Sequence, residues 1–237
     1  MDKKQVMMEE FISIYKENIT RDGADKLLKY LESSGFFEDP ASSRYHLCVA
    51  GGLCEHSIHV YKRLKLLCDV EAANDPDFVR PSDETIAICG LLHDLCKIGC
   101  YAQEYRNRKT YDEDKVAAAK PYQIKSDGQG QFIWESVMSY RFDDPMPYGH
   151  GEKSVYIISG FMPLSREEAF AIRYHMGPWN NDEQRNVGKV FEMYPLAFLT
   201  HTADAQATYR ATCSATSLKK MKRRQPARVE LVIRGVK

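Results

Sequence analysis

The sequence has no apolar run of the roughly 18 residues that a membrane-spanning helix requires. Its first residues, Met1–Phe11, contain no apolar segment of the kind found in secretory signal peptides. Internal repeats and low-complexity tracts are also missing. These absences argue against a membrane-embedded protein and a repeat protein, so we expect a cytoplasmic protein with no membrane partner.

Cysteine is present, but its pattern does not indicate disulfides or a structural zinc site. The count of seven is odd, and no second pair of closely spaced cysteines accompanies Cys96 and Cys100. Cys54, Cys89, Cys96 and Cys100 lie in or beside apolar helical segments. We therefore expect reduced thiols packed in the core.

The chain has no net charge, because 33 Lys and Arg balance 33 Asp and Glu among its 237 residues. The distribution is uneven, since residues 217–237 hold eight basic residues and one acidic residue, Glu230. We predict one helical domain over 1–215, with its core at about 45–210, followed by a basic tail over 216–237. The tail is either a solvated end or a contact surface for nucleic acid or a subunit. The oligomeric state is left open by the sequence.

Helical periodicity dominates the chain, whose composition is that of an ordinary globular protein. The predicted helices lie between Gln5 and about Leu67, with breaks at 21–23 and 38–43, and at Asp83–Ile98, Glu152–Phe161, Ser165–His175 and Val187–Tyr209, the last kinked or restarted at Pro195. Segment 121–142 predicts an inserted β-hairpin, because Tyr122–Lys125 and Phe132–Trp134 flank a glycine-containing turn. Val229–Ile233 predicts a short terminal strand. The predicted fold class is mainly α.

Three predicted helices carry polar side chains where apolar ones are expected. His56 stands in a stripe of apolar residues three or four positions apart, and Asp204 stands in a similar stripe with Ala197. The central helix, apolar on every side, ends in His93-Asp94. An unpaired imidazole or carboxylate in a core costs several kcal/mol, so these side chains need partners.

His93 and Asp94 are adjacent, so on a helix they point about 100° apart. They can reach a single ion only near the edge of the helix. The short carboxylate of Asp94 is therefore the natural ligand to bridge one metal ion to a second.

The segments Gly51–Val60, Gly90–Gly99 and His201–Asp204 carry these residues. They resemble the HD-domain superfamily of metal-dependent phosphohydrolases. Four residues match the superfamily's H…HD…D metal signature in order and spacing: His56, His93, Asp94 and Asp204. The resemblance covers about residues 45–210. It implies an HD-type helical bundle and a metal site, and it says little about the substrate.

The chain also resembles the dinuclear HD subgroups, in which two histidines between the HD pair and the last Asp hold a second ion. Here His150 opens a predicted helix and His175 closes one. The resemblance implies that the four signature residues bind one ion and that His150, His175 and bridging Asp94 bind another. The alternative, one ion with His150 and His175 as ordinary helix-terminal residues, stays open.

A ligand set rich in imidazole suits Mn, Fe, Co, Ni or Zn, and a metal pair lowers the pKa of a bridging water enough to supply hydroxide. Asp94 and Lys97 are the candidate catalytic residues. Lys97 lies one turn past the HD pair, where family members often place a lysine for the phosphate. Further candidates for substrate binding are Lys153, Arg173 and Arg44.

His46, His59 and His201 lie near the signature residues in sequence. We expect the first two to support ligands or to lie at the surface. His201 is expected to orient Asp204 or a neighbouring ligand.

The first functional hypothesis is hydrolysis of a phosphomonoester or phosphodiester of a nucleotide or short single-stranded nucleic acid. An HD-fold di-iron oxygenase that acts on a small molecule uses the same ligand types and is the main alternative. A non-catalytic HD domain that binds a nucleotide is the third. Specificity is expected to come from the hairpin, the 101–120 loop and the tail.

Overall fold

A computed structural model of the protein describes residues 2–44, 46–179 and 184–211. This part of the chain is mainly helical. The helices there are α1 (Lys3–Asn18), α2 (Ala24–Ser33), α3 (Gly52–Asn74), α4 (Asp83–Leu92), α5 (Glu113–Ala118), α6 (His150–Ser159), α7 (Arg166–Arg173), α8 (Gln184–Met193) and α9 (Pro195–Ala211). The strands are β1 (Tyr101–Thr110), β2 (Lys125–Asp127) and β3 (Gly130–Phe142). The prediction of a mainly α fold with an inserted hairpin is confirmed. The predicted tail and strand Val229–Ile233 lie outside the described residues.

The core lies where α3, α4, α7 and α9 pack against one another. Every side chain from Ile86 to Leu92 is buried, which confirms the prediction of a central buried helix. Ser82 accepts a hydrogen bond from the N–H of Thr85 and so caps the N-terminus of α4. Among the described helices, none combines the length and apolarity that a bilayer span requires.

The predicted helix Asp83–Ile98 is wrong at its C-terminal end. α4 stops at Leu92, and a separate 3-10 turn follows at Leu95–Lys97. The ring of His93 explains the early stop, because its Nδ1 lies 2.9 Å from the carbonyl oxygen of Gly90. That carbonyl would accept the next backbone N–H if the helix continued. His93 and Asp94 consequently sit at the end of α4 and just beyond it, not inside a helix.

α3 and α4 approach closely at Gly90. A Cβ on this residue would lie 2.5 Å from the Cα of Tyr61, a distance too short for any side chain. Glycine therefore lets the two backbones meet, and this contact lies one turn before His93. The crossing thus sets how far His93 stands from His56 on α3.

The sheet has the order β1-β3-β2 and is antiparallel throughout. β1 pairs with β3 from Tyr101 opposite Phe142 to Thr110 opposite Ile133. The expectation of a loop over 101–120 is therefore wrong, since this segment supplies a strand and the short helix α5. Residues 121–123 form a 3-10 turn where the first hairpin strand was expected. Alternation was hard to see in β1 because its residues are mostly polar.

The start of α6, α7 and α9 agrees with the sequence to within two residues, whereas α3 continues to Asn74, beyond its predicted end at about Leu67. Ser165 caps α7 and forms a capping box with Glu168. Pro195 begins α9 after α8 has ended, so the last predicted helix restarts at this proline. His150 is the first residue of α6, which begins two residues earlier than predicted.

A buried carboxylate ties α7 to α4. Glu168 is 1% exposed, and its oxygens lie 2.8 Å from both terminal nitrogens of Arg21. Thr85 of α4 donates its hydroxyl to the same carboxylate at 2.9 Å. Burial raises the pKa of Glu168, but these hydrogen bonds hold the pKa below its ordinary value. The ion pair fixes the helices that lead to His93 and His175.

We predict that Gly90→Ala lowers the free energy of unfolding by about 1–3 kcal/mol, because the added methyl group forces α3 and α4 apart. Gly188→Ala is the matched control, since a Cβ on this helical glycine meets nothing within 4 Å. This control should be stabilised by about 0.5–1 kcal/mol. Urea denaturation measures both effects. Equal effects in the two variants would contradict the close approach at Gly90.

Candidate metal centre

Six side chains named from the sequence converge on one point of the core. Each comes from the end or the inner face of a helix. His56 lies on α3, His93 and Asp94 follow α4, His150 begins α6, His175 follows α7, and Asp204 lies on α9. Groups of at least three possible ligand atoms lie within 4.8 Å of one another and link all six residues. The fold therefore assembles the residues that the sequence singled out.

One group of contacts surrounds the Nε2 atom of His56. It lies 3.1 Å from Oδ1 of Asp204, 3.3 Å from Nε2 of His93 and 3.5 Å from Oδ2 of Asp94. His93 Nε2 lies 3.4 Å from the same Oδ2. These four side chains thus direct two nitrogen atoms and two carboxylates toward a common point.

A second group surrounds the other oxygen of Asp94. Oδ1 lies 3.1 Å from Nε2 of His150 and 3.4 Å from Nε2 of His175. The two carboxylate oxygens of Asp94 therefore face different pairs of imidazoles. This is the arrangement of a carboxylate that can bridge two sites.

Backbone carbonyls fix the orientation of two rings. His93 donates from Nδ1 to the carbonyl of Gly90 at 2.9 Å, and His175 donates from Nδ1 to the carbonyl of Ile172 at 2.7 Å. In their neutral forms both rings then turn an Nε2 lone pair toward Asp94. Support of this kind is typical of metal-binding histidines.

The facing atoms fit a cation. The Nε2 lone pairs of His93 and His175 each face an oxygen of Asp94 at 3.4 Å, which sets acceptor against acceptor. Nε2 of His175 is buried without a hydrogen bond. Buried polar atoms normally have partners. These buried groups could hold a metal ion, which satisfies the acceptors together.

The protonation of most of the cluster also suits a metal. Burial lowers the pKa of His93 and of His150, which keeps these rings neutral near pH 7. Burial raises the pKa of Asp94, but Lys97 and the neighbouring imidazoles hold it well below its ordinary value. Burial lowers the pKa of His175, but Asp94 raises it by more, so the pKa of this ring lies above its ordinary value. A proton on that ring would be displaced by an ion.

A cavity of about 250 Å³ opens beside the cluster. Its wall consists of His46, Lys97, Met176, His201, Asp204, Ala205, Thr208 and Tyr209. Nζ of Lys97 lies 2.6 Å from Oδ2 of Asp94. Burial lowers the pKa of Lys97, but the charge of Asp94 outweighs this effect, and the net result is a pKa above the ordinary value. A charged lysine therefore stands where the cavity meets the cluster. A larger depression of about 460 Å³, at residues 15–26, contains none of the six cluster residues.

The other three candidate cations do not line this cavity. Lys153 is 3% exposed, and its Nζ lies 2.5 Å from Oδ1 of Asp144. Arg173 forms an ion pair with Glu152. Arg44 is exposed on the turn before His46. Lys97 is thus the candidate cation that the structure brings to the cluster.

The three remaining histidines differ in their surroundings. His46 packs on His56 with ring centroids 4.8 Å apart, and burial lowers its pKa to about 4. His201 lies 2.7 Å, through Nδ1, from the backbone oxygen of His175, so it contacts a neighbouring ligand residue and not Asp204. His59 is half-buried on α3 and is not among the possible metal groups of the described residues.

Two residues at the cluster were not expected from the sequence. Sγ of Cys96 lies 3.4 Å and 3.5 Å from the ring nitrogens of His150. Ser154 of α6 accepts a hydrogen bond from the backbone N–H of Cys96 at 3.0 Å. Cys96 was expected to be a core thiol, and it is buried. None of the described cysteines forms a disulfide, and all of them are buried except Cys48, which is half-buried. Its position two residues after Asp94 was the available signal.

Comparisons of the chain with protein-family models, with curated proteins and with solved structures gave no match.

We predict that Asp94→Ala lowers divalent-metal affinity by at least about 100-fold, because Asp94 faces both groups of imidazoles. His59→Ala is the matched control, since it removes a half-buried imidazole three residues from His56. Isothermal titration with Mn²⁺ or Zn²⁺ measures the affinity, and circular dichroism checks folding. Unchanged binding in Asp94→Ala would exclude the cluster as the metal site.

Proposed function

We propose that the chain is a metal-dependent phosphohydrolase of the HD-domain superfamily with two divalent transition metal ions. The observation that carries this proposal is the position of Asp94, whose two oxygens face different groups of imidazoles. A site for a single ion does not require the two oxygens of one carboxylate to face different imidazoles. The proposal includes the cytoplasmic location expected from the sequence.

The ligands divide in the way that the family resemblance implies. His56, His93, Asp94 and Asp204 hold the first ion. His150, His175 and Asp94 hold the second. The mixture of imidazole and carboxylate favours Mn, Fe, Co, Ni or Zn over calcium. Such ions, when bound, activate a water molecule for attack on phosphorus near neutral pH.

The chain's own residues then have separate tasks. Lys97 lies in the cavity wall and carries a positive charge, so it can neutralise the charge that develops on phosphoryl oxygens. His46 lies in the same wall, and neither of its buried ring nitrogens has a hydrogen-bond partner among the described residues. The ring packs on that of His56, with centroids 4.8 Å apart, and so supports this ligand. Asp94 holds the ammonium group of Lys97 in place at 2.6 Å.

The size of the cavity supports a small reacting group. Its volume of about 250 Å³ is below the range of roughly 300–1,000 Å³ typical of sites that enclose a whole drug-sized ligand. The cavity accommodates a phosphate and its nearest substituent. We therefore infer a phosphomonoester, or a terminal phosphate of a nucleotide or short single-stranded nucleic acid whose remainder lies outside.

We predict that Lys97→Met lowers kcat/KM for phosphoester hydrolysis by about 100- to 1,000-fold, because the charge opposite the phosphoryl group is lost. The metal content should stay the same, since Lys97 is not a ligand. Phosphate release is measured with Mn²⁺, Co²⁺, Ni²⁺, Zn²⁺ or anaerobic Fe²⁺ against phosphomonoesters and phosphodiesters.

Lys29→Met is the matched control, because Lys29 is exposed on α2. It should retain full activity. Absence of phosphate release from every ester in the wild-type protein would overturn the proposal. Oxygen consumption by the iron-loaded protein would then support the di-iron oxygenase instead.

A further inference from the structure

Cys96 lies inside the second ligand group. It belongs to the 3-10 turn Leu95–Lys97, immediately after Asp94. Its side chain is buried, and Sγ lies 3.5 Å from Nε2 of His150 and 3.9 Å from Oδ1 of Asp94. The backbone N–H of Cys96 is held by Ser154, which lies one turn after His150 on α6. The backbone of Cys96 is therefore anchored to the helix that begins with His150.

These three atoms form a triangle of ligand size. Its edges are 3.1 Å between His150 Nε2 and Asp94 Oδ1, 3.5 Å between Nε2 and Sγ, and 3.9 Å between Sγ and Oδ1. A tetrahedral zinc ion with ordinary bond lengths sets nitrogen and oxygen ligands roughly 3.3 Å apart and sulfur roughly 3.5 Å from either. The observed triangle agrees within about half an ångström. Sγ also lies 3.4 Å from Nδ1 of His150, so the ring has to turn for Nε2 to face an ion that it shares with the thiol.

A second observation points to a ligand at the same place. His175 is fully buried, and its Nε2 has no hydrogen-bond partner although it lies 3.4 Å from Oδ1 of Asp94. Its Nδ1 is already committed to the carbonyl of Ile172. Nε2 is thus aimed at the oxygen that Cys96 and His150 also approach. A cation beside Oδ1 satisfies the ring and the thiolate together.

We propose that Cys96 is a sulfur ligand of the second ion, beside His150 and Asp94, with which it forms one of the possible metal groups. The first subsite then has two nitrogens and two carboxylate oxygens. Because sulfur is a softer ligand than oxygen, the second subsite prefers zinc or cobalt to manganese and magnesium. The thiol proton passes to solvent when the ion binds. This inference rests on the metal centre of the proposed function, but not on its reaction.

Cys100 supplies the internal comparison. Its Sγ lies 3.1 Å from the backbone oxygen of Cys96 and 3.3 Å from Nζ of Lys153. Cys100 is buried like Cys96, yet it belongs to none of the possible metal groups of the described residues. Cys100→Ser is therefore the matched control for Cys96→Ser.

The test is titration with cobalt(II) ion alone, followed by absorption spectroscopy. Cys213 lies outside the described residues and is replaced by serine in every sample. We predict a thiolate-to-cobalt charge-transfer band in the parent protein and in Cys100→Ser. Cys96→Ser should lose this band, keep the visible ligand-field bands of the first subsite, and bind the second cobalt at least about 10-fold more weakly.

Bound cobalt without a charge-transfer band, or a band that survives in Cys96→Ser, would overturn the sulfur ligand and leave the metal centre intact. No bound cobalt would overturn the metal centre as well. A charge-transfer band in a protein without phosphoesterase activity would support the ligand and contradict the reaction. Should Cys96→Ser fail to fold, zinc X-ray absorption of Cys100→Ser decides, because it must show sulfur at about 2.3 Å.

Discussion

A buried, ionised carboxylate is the constraint on which the described structure depends. Asp94 is 1% exposed, and its carboxylate is surrounded by four imidazoles and the ammonium group of Lys97. A charge in such a place costs several kcal/mol unless positive groups and hydrogen bonds compensate it. The helices that supply those groups come from distant parts of the sequence, so their packing and the charge of Asp94 stabilise one another. A divalent cation would strengthen this balance, because it would attract the carboxylate and the imidazole lone pairs at once.

Two imidazoles reach Asp94 through the same local device. His93 and His175 each donate Nδ1–H to a carbonyl three residues earlier, at Gly90 and Ile172. The carbonyls near the ends of α4 and α7 accept these hydrogen bonds, which leaves Nε2 of each ring directed into the core. Helix ends therefore position the rings more firmly than a mid-helix location would, since the backbone itself fixes ring orientation.

The sequence allowed the residues of the candidate site to be predicted better than their geometry. His56 and Asp204 could be found because they interrupt apolar helical stripes, and both helices are present. His93 and Asp94 were expected on a helix, but the His93 ring ends α4 before them, an effect of a side-chain hydrogen bond that periodicity does not show. Cys96 was missed as a site residue because a buried cysteine in an apolar segment is usually a core residue. β1 was missed because most of its residues are polar.

Anomalous X-ray diffraction from crystals soaked in zinc shows whether Asp94 divides the cluster into two metal sites. We expect two anomalous peaks, one on each side of the Asp94 carboxylate and roughly 3.5–4 Å apart. One peak should lie beside His56, His93 and Asp204, and the other beside His150 and His175. A single peak, or peaks away from Asp94, would contradict the account.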